Sequence, residues 1–263
     1  MKARCGEIDI HYTIEGDGPW LTMSHSLACD LSMWDVQAKA LAKHFKVLRY
    51  DTRGHGQSSS PMGPYSLDTL AQDAYALLQH LGIQKTHWVG LSLGGMIGQA
   101  LTLAHPDIIS SLVLADTTSR GVPNAAAMWA DRATVARTQG MQSLLHPTLA
   151  RWFTPASHEN GLPAIQQIAH VILSTPPEGY AGCCEAIAGL DFTDRLAAIH
   201  CPTLVMVGDQ DQGTPPEMSR IIHQRISGSE LLLIPNAAHL ANIEQPEAFT
   251  QGLLNFLLKV RGN

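Results

Sequence analysis

Charged side chains are scarce in this sequence of 263 residues: Asp, Glu, Lys and Arg together make up 15%. The net charge at pH 7 is −6, and no cluster of lysine or arginine stands out. This balance argues against a polyanionic partner such as a nucleic acid. Hydrophobic residues make up 45%, a fraction that is typical of a globular chain with a large core and excludes a disordered one.

Long apolar runs and paired-cysteine motifs are also missing. No hydrophobic stretch approaches the ~20 residues that a membrane-spanning helix requires, and the N-terminal segment MKARCGEIDIHYTIEG lacks the apolar region of a signal peptide. The five cysteines are odd in number and form no CxxC pair, so they indicate neither a disulfide framework nor a zinc site. We therefore expect a cytoplasmic protein with no membrane partner and no metal.

Short apolar segments alternate with segments of helical periodicity along most of the chain. The clearest helix is predicted over 66–82, SLDTLAQDAYALLQHLG, with Ser66 or Asp68 at its start and Gly82 after its end. The alternation predicts a mostly parallel sheet that is covered by helices on both faces. The predicted strands are 7–16, 20–24, 46–51, 87–91, 111–116, 203–209 and 230–235.

The segment 120–190 breaks this alternation, because it holds helix-like pieces separated by several prolines. Structureless connections of such length are rare in compact domains. We predict that 120–190 forms an inserted helical cap, while 1–119 and 191–263 form the α/β core. The alternative is a set of ordinary connecting helices.

A nucleophile is predicted at Ser92, in the segment Gly90-Leu91-Ser92-Leu93-Gly94. The segment matches G-x-S-x-G, with an apolar strand before it and a helix after it, which is the context that this motif requires. A sharp strand-to-helix turn exposes the serine hydroxyl, and glycines fit where a Cβ would collide. The helix that begins at Leu93 directs backbone N–H groups toward a developing oxyanion.

A serine nucleophile needs a base and an acid, which follow it in chain order in this type of fold. Among thirteen histidines, His239 lies in a loop between a late strand and the last helix, so we predict that it is the base. For the acid we favour Asp211, in the loop GDQDQGTPP. Asp209, in the same loop, and Asp116, at the end of SLVLAD, are the alternatives.

Together these segments resemble the α/β-hydrolase superfamily, and the likeness extends over nearly the whole chain. Within it the sequence is most similar to bacterial 3-oxoadipate enol-lactonases, which resemble it in VLRYDTRGHG, GLSLGGMIGQ, RWFTP, GYAGCCEAI and AAHLANIEQPEAF. Small bacterial aryl esterases share much of this pattern. The resemblance implies an α/β-hydrolase fold and hydrolysis of a lactone that is the enol ester of a short dicarboxylic keto acid.

The resemblance also implies further site residues. The family's His-Gly-X loop matches His25-Ser26-Leu27, so the N–H groups of Leu27 and Leu93 would form the oxyanion hole. Enol-lactonases carry asparagine where this chain has His25, which we interpret as a loop-bracing residue or a substrate contact. The segment Met128–Arg132 resembles the W-x-x-R pattern of enol-lactonases, which would put Trp129 against the substrate and Arg132 on its carboxylate. The alternatives are a core tryptophan and a solvated arginine.

We therefore expect a serine hydrolase that cleaves a small-molecule ester or lactone through an acyl-enzyme and needs no metal or organic cofactor. The alternatives are a broad carboxylesterase or aryl esterase, a thioesterase or another lactonase, and, from a different class, a ligand receptor with residual hydrolysis. The sequence does not predict the oligomeric state.

Overall fold

One eight-stranded sheet organises the protein in the computed structural model, which describes residues 1–261. The spatial order is β1-β2-β4-β3-β5-β6-β7-β8; β1 and β2 pair antiparallel, as do β2 and β4, and the remaining pairs are parallel. The predicted mostly parallel sheet is confirmed. The strands are β1 (Lys2–Cys5), β2 (Ile8–Glu15), β3 (Trp20–Ser24), β4 (Lys46–Tyr50), β5 (Thr86–Leu91), β6 (Ile109–Ala115), β7 (Thr203–Gly208) and β8 (Glu230–Ile234).

The central strands β5 and β7 are buried at every position. Helices cover both faces of a parallel sheet, so such strands are continuous apolar runs rather than alternating ones. The carboxyl ends of parallel neighbours lie at the same edge, where ligand sites of open α/β sheets are found. Each predicted catalytic residue follows one of these ends.

Helices connect the strands as the periodicity predicts. Ser66 begins the predicted 66–82 helix, because its Oγ accepts the N–H of Thr69 at 3.0 Å, and Gly82 follows its end with φ +67°. The segment 33–45, MWDVQAKALAKHF, has helical spacing that predicts a further helix, but the observed helix covers only Asp35–Leu41, with a 3-10 turn at Leu31–Trp34 before it. The helices are α1 (Asp35–Leu41), α2 (Leu67–His80), α3 (Leu93–Ala104), α4 (Ala125–Gln139), α5 (Gln142–Trp152), α6 (Pro155–Glu159), α7 (Pro163–Ser174), α8 (Pro177–Ala188), α9 (Pro216–Arg225), α10 (Ala241–Glu244) and α11 (Pro246–Arg261).

Five of these helices, α4 to α8, form one insert between β6 and β7, and we call Ala125–Ala188 the helical insert. Arg137 of α4 bonds Glu178 at 2.7 Å and Glu185 at 2.6 Å, which ties α4 to α8. A Cβ on Gly179 would lie 2.2 Å from the backbone oxygen of Gly54, so the insert meets the core loop at backbone contact. The five helices lie within the range 120–190 predicted for a cap, and residues 262–263, at the end of the predicted range 191–263, lie outside the described part of the chain.

No helix within residues 1–261 is long and apolar enough to cross a membrane.

Candidate active site

The turn from β5 into α3 holds Ser92 in a strained conformation, with φ +56° and ψ −114°. Non-glycine residues rarely adopt positive φ, and such strain concentrates at functional sites. A Cβ on Gly90 would lie 2.1 Å from the oxygen of Gly94, and a Cβ on Gly94 would lie 2.1 Å from the oxygen of Ser24. Only glycine fits on both sides of Ser92, as the motif predicts.

Backbone hydrogen bonds hold this turn in place. The Ser92 N–H donates to the oxygen of Ala115 at 2.9 Å, and the Ser92 carbonyl accepts from Thr117 Oγ1 at 2.8 Å. Hydrogen bonds from the end of β6 and the residues that follow it therefore keep Ser92 in its unfavourable backbone conformation.

His239 and Asp211 meet at the edge where β7 and β8 end. Nδ1 of His239 lies 2.9 Å from Oδ2 of Asp211, and both side chains are buried. Asp211 also accepts hydrogen bonds from the N–H groups of Gly213 and Thr214, at 2.7 and 3.0 Å, and from Thr214 Oγ1 at 2.7 Å. The carboxylate is thus fixed, and it orients the imidazole with Nε2 away from it.

Burial alone would raise the pKa of Asp211. The neighbouring His239 and the hydrogen bonds from Thr214 outweigh burial and hold this pKa below its ordinary value. Asp211 is therefore ionised at neutral pH and can stabilise a positive charge on His239.

The two competing aspartates lie elsewhere. Asp209 is exposed, and its Oδ1 accepts only the N–H of Ala237, at 3.4 Å. Asp116 is fully buried, with φ +43°; its Oδ1 accepts the N–H of Gly208 at 2.8 Å, while Oδ2 has no hydrogen-bond partner among residues 1–261. The structure brings Asp211, and neither alternative, to His239.

Burial raises the pKa of Asp116 well above its ordinary value, and the charge of Asp211 raises it further. The folded state therefore holds a proton that the unfolded chain releases above pH ~4. The raised pKa of Asp116 therefore adds to the free energy of unfolding at low pH. This contribution is lost as the pH rises toward the pKa of Asp116 in the folded state. We expect Asp116→Asn, which keeps an acceptor for Gly208, to gain stability over the native chain as the pH increases.

Urea unfolding at pH 5 and pH 8 measures this effect. The gain in free energy of unfolding should be larger at pH 8, and the exposed control Asp209→Asn should show no such trend. Parallel pH curves for Asp116→Asn and the native chain would show that Asp116 is ionised in the fold.

A cavity of about 290 Å³ lies between this edge and the helical insert. Ser92, His239 and the residues Ser26 and Leu27 line it on the core side. Neither the Ser92 hydroxyl nor Nε2 of His239 makes a hydrogen bond within the described chain, so both groups are available to a ligand. Further lining residues are Met96, Arg120, Met128, Trp129, Arg132, Thr148, Arg151, Trp152, Tyr180, Ile187 and Leu190.

The two predicted oxyanion-hole residues have backbone N–H groups without acceptors. Leu93 is the first residue of α3, where the N–H groups of a helix have no intrahelical partner. Leu27 lies in the loop after β3 and lines the cavity. Among residues 1–261, neither amide donates a hydrogen bond.

His25 is not part of the cavity, which corrects its predicted substrate contact. Its side chain is fully buried, and both ring nitrogens are occupied: Nδ1 lies 2.7 Å from the Ser26 oxygen, and Nε2 accepts the N–H of Thr52 at 2.9 Å. A ring engaged on both sides by backbone cannot reach a substrate. The loop-bracing interpretation agrees with this placement.

Trp129 and Arg132 both line the cavity from α4. The Arg132 guanidinium lies 5.0 Å from the Trp129 ring centre, and it donates to Tyr180 Oη at 3.0 Å and to Thr148 Oγ1 at 3.3 Å. All of these partners are uncharged. The predicted W-x-x-R pair thus lies at the cavity, with its positive charge unneutralised.

Three cavity residues of α5 were missed by sequence analysis: Thr148, Arg151 and Trp152. Arg151 lines the cavity and uses only Nε, which donates to the Pro147 oxygen at 3.2 Å. Trp152 lines it too, and its ring centre lies 5.9 Å from that of His239. The spacing of Thr148, Arg151 and Trp152 at i, i+3 and i+4 puts them on one helix face. This spacing is visible in the sequence and could have indicated that the three side chains line a common surface.

Glu244 connects the helical insert to the His239 loop. Its Oε1 accepts the N–H of Thr154 at 2.8 Å, the Thr154 hydroxyl at 2.9 Å and the Ser157 hydroxyl at 2.5 Å. Its Oε2 accepts the N–H of Ala238 at 2.6 Å. A single buried carboxylate thus holds the residue before His239 and the start of α6.

Within residues 1–261 there is no group of three or more His, Cys, Asp or Glu side chains that could hold a metal ion.

Comparisons with known proteins identify the family and agree with the fold. A family model described as alpha/beta hydrolase fold matches residues 19–246. The chain is 36% identical to 3-oxoadipate enol-lactonase 2 of Acinetobacter baylyi, over 94% of this chain and 92% of that protein. The crystal structure of the enol-lactonase from Burkholderia xenovorans superposes with a TM-score of 0.95 at 39% identity, covering 98% of this chain and all (100%) of that one.

A malate-bound thermophilic esterase from Thermogutta terrifontis is also similar, with a TM-score of 0.94 and 34% identity, covering 99% of this chain and 98% of that one. The family match and the relatives extend over nearly the whole length on both sides. The chain therefore belongs to the α/β-hydrolase family and is a hydrolase.

Proposed function

We propose that the protein hydrolyses an anionic lactone or ester through a Ser92 acyl-enzyme, with 3-oxoadipate enol-lactone as the favoured substrate. The main support is that Ser92 and the Asp211-oriented His239 line one cavity, which is also lined by Arg132 and Arg151, two arginines without a carboxylate partner among residues 1–261. The enol-lactonase relatives make this lactone the natural first choice. Such an enzyme belongs to the cytoplasmic catabolism of aromatic compounds.

The proposed first step is attack of Ser92 Oγ on the lactone carbonyl while His239 Nε2 takes the hydroxyl proton. The oxyanion accepts hydrogen bonds from the Leu27 and Leu93 N–H groups. Collapse breaks the ring C–O bond, and the enol oxygen leaves with the proton from His239. The enol then becomes the ketone, which remains part of the acyl group on Ser92.

The second step is hydrolysis of this acyl-enzyme. His239 takes a proton from water, the hydroxide attacks the acyl carbonyl, and Ser92 leaves with the proton. Asp211 stabilises the imidazolium in both steps. The helical insert acts as a cap, supplying Trp129, Trp152 and the two arginines that hold the substrate.

Arg132 and Arg151 support an anionic substrate. Neither forms an ion pair within the described residues, whereas Arg120, which lines the same cavity, is bonded to Asp191 at 2.6 Å and to Asp194 at 2.5 Å. Burial lowers the pKa of Arg151, and the charge of Arg132 lowers it further. Two neighbouring like charges cost free energy that a carboxylate between them would offset.

We expect Arg151→Gln and Arg132→Gln each to lower kcat/KM for the anionic enol-lactone by about 10- to 100-fold, the range for a lost charge-assisted contact. Hydrolysis of neutral p-nitrophenyl acetate should change by less than about threefold. Arg120→Gln is the matched control, since Asp191 and Asp194 already balance its charge, and it should affect both substrates equally.

A broad carboxylesterase is the second candidate, favoured by the apolar wall of Met96, Trp129 and Ile187. Equal losses on the anionic and the neutral substrate in the Arg151 variant would support it over an enol-lactonase. Stoichiometric product release without steady-state turnover would instead indicate a receptor.

A further inference from the structure

Two buried histidines join the loop after β3 to the loop after β4. His25 lies on the first loop, and its Nε2 accepts the N–H of Thr52 on the second, at 2.9 Å. His55 lies on the second loop, and its Nε2 accepts the N–H of Ala28 on the first, at 2.9 Å. We call this reciprocal pair the imidazole clasp.

The hydrogen-bond partners define the tautomer of both rings. Each Nε2 faces a backbone N–H, which can only donate, so it must be unprotonated. Each Nδ1 faces a backbone oxygen, that of Ser26 for His25 at 2.7 Å and that of Arg53 for His55 at 3.2 Å, so it must carry the proton. The clasp therefore exists only with two neutral imidazoles.

The surroundings of the clasp favour this neutral form. Both rings are fully buried, with their centres 5.3 Å apart. Burial lowers the pKa of His55 to about 3, and His25 lowers it further; burial also lowers the pKa of His25. Asp51 acts in the opposite direction on both rings, as Asp30 does on His25, but burial outweighs them.

The loop that the clasp holds contains the predicted oxyanion donor Leu27. Ser26 and Cys29 close a turn around it, with the Cys29 N–H 3.1 Å from the Ser26 oxygen, and Ala28 has φ +56°. Left-handed backbone at a residue with a Cβ is unfavourable and needs external support. His55 provides this support at the strained residue itself, one position after the Leu27 amide.

We propose that His25 and His55 are positioning residues, whose imidazole clasp holds the Leu27 N–H at the oxyanion in the proposed hydrolysis. The role rests on the proposed function of Ser92 and Leu27. The clasp does not touch the substrate, so it affects the transition state through the Leu27 amide. Substrate binding, which depends on the helical insert, should change little.

His55→Asn and His55→Gln test this role. Glutamine can place an acceptor near the position of Nε2, whereas asparagine is too short to reach the Ala28 N–H. We expect His55→Asn to lower kcat for p-nitrophenyl acetate by about 100-fold, the effect of losing one oxyanion donor, with KM within about threefold. His55→Gln should recover at least tenfold of that loss.

His87→Asn is the matched control. His87 is also buried and bonds Ser111 Oγ at 2.8 Å, but it does not line the cavity. It should lose stability while keeping kcat within about threefold. If His55→Asn keeps kcat at the level of His87→Asn, or if His55→Gln is no more active than His55→Asn, the clasp has no positioning role.

The native protein provides a second measurement should a variant fail to fold. The ¹⁵N shifts of the ring nitrogens, assigned in the native protein through their hydrogen bonds to the Thr52 and Ala28 amides, should show unprotonated Nε2 and protonated Nδ1 from pH 5 to 8. A protonated Nε2 on either ring would overturn the clasp. Loss of turnover in Ser92→Ala is the separate test of the proposed function, so the two failures are distinguishable.

Discussion

Replacing Ser92 with alanine should lower kcat by about 10⁴- to 10⁶-fold, the loss seen when a nucleophile that acts together with its base is removed. Without Oγ no acyl-enzyme forms, and only the Leu27 and Leu93 amides and substrate binding remain to assist a water molecule. The fold should not change, because alanine keeps the Cβ and the same backbone preferences. Steady-state hydrolysis of the enol-lactone and of p-nitrophenyl acetate measures the loss.

Intact-protein mass spectrometry separates this mechanism from direct attack by water. With a slowly deacylating ester, the native chain should gain the mass of the acyl group, and Ser92→Ala should gain none. Ser219→Ala is the matched control, since Ser219 is buried with no partner for its Oγ in the described chain and is not among the residues that line the cavity. Near-native turnover by Ser92→Ala would contradict the proposal that Ser92 is the nucleophile.

The second large effect is expected for Asp211→Asn, with kcat lower by about 10³- to 10⁴-fold. The amide has no charge to stabilise an imidazolium, and its NH₂ group can face Nδ1 of His239 only if that nitrogen is unprotonated. Nε2 then carries the proton and cannot accept one from Ser92. Because Asp211 acts on His239 rather than on the substrate, KM should change far less than kcat.

The variants Asp209→Asn and Asp116→Asn test the two alternative acids in the same kinetic assay. Asp209 shares the loop but is exposed, and Asp116 is buried and bonded to the Gly208 amide rather than to His239, so both variants should keep kcat within about tenfold. A loss of a thousandfold in Asp116→Asn, with Asp211→Asn nearly normal, would move the acid to the end of β6. Melting temperatures of all three variants should accompany the kinetics, to exclude unfolding.

Local patterns explain why much of the core was predictable. The Ser92 turn depends on a strand, two glycines and a helix within a dozen residues, and all of these are visible in sequence. The order of strands and helices is likewise encoded by periodicity of short segments. By contrast, the predicted 33–45 helix is shorter than its periodicity suggests, since the chain begins there with a 3-10 turn.

Non-local contacts explain what the sequence could not provide. Asp116 and Asp211 both follow strand ends, and only the packed structure shows that Asp116 turns to the Gly208 amide while Asp211 meets His239. Whether His25 braces a loop or contacts the substrate stayed open in the sequence, because its partner Thr52 is 27 residues away. Arg151 reaches the cavity only because α5 packs with that face inward.

Glu244 has a consequence for recombination between relatives. The carboxylate accepts hydrogen bonds from Thr154 and Ser157 on one side and from Ala238 on the other. A chimera that exchanges residues 120–190 for those of another hydrolase retains Glu244 and Ala238 but replaces Thr154 and Ser157. Unless the donor segment also carries hydroxyl residues at positions 154 and 157, the buried carboxylate beside the His239 loop loses two of its four hydrogen-bond donors. The helical insert and the His239 loop should therefore be exchanged together in such chimeras, although 50 residues separate them in the chain.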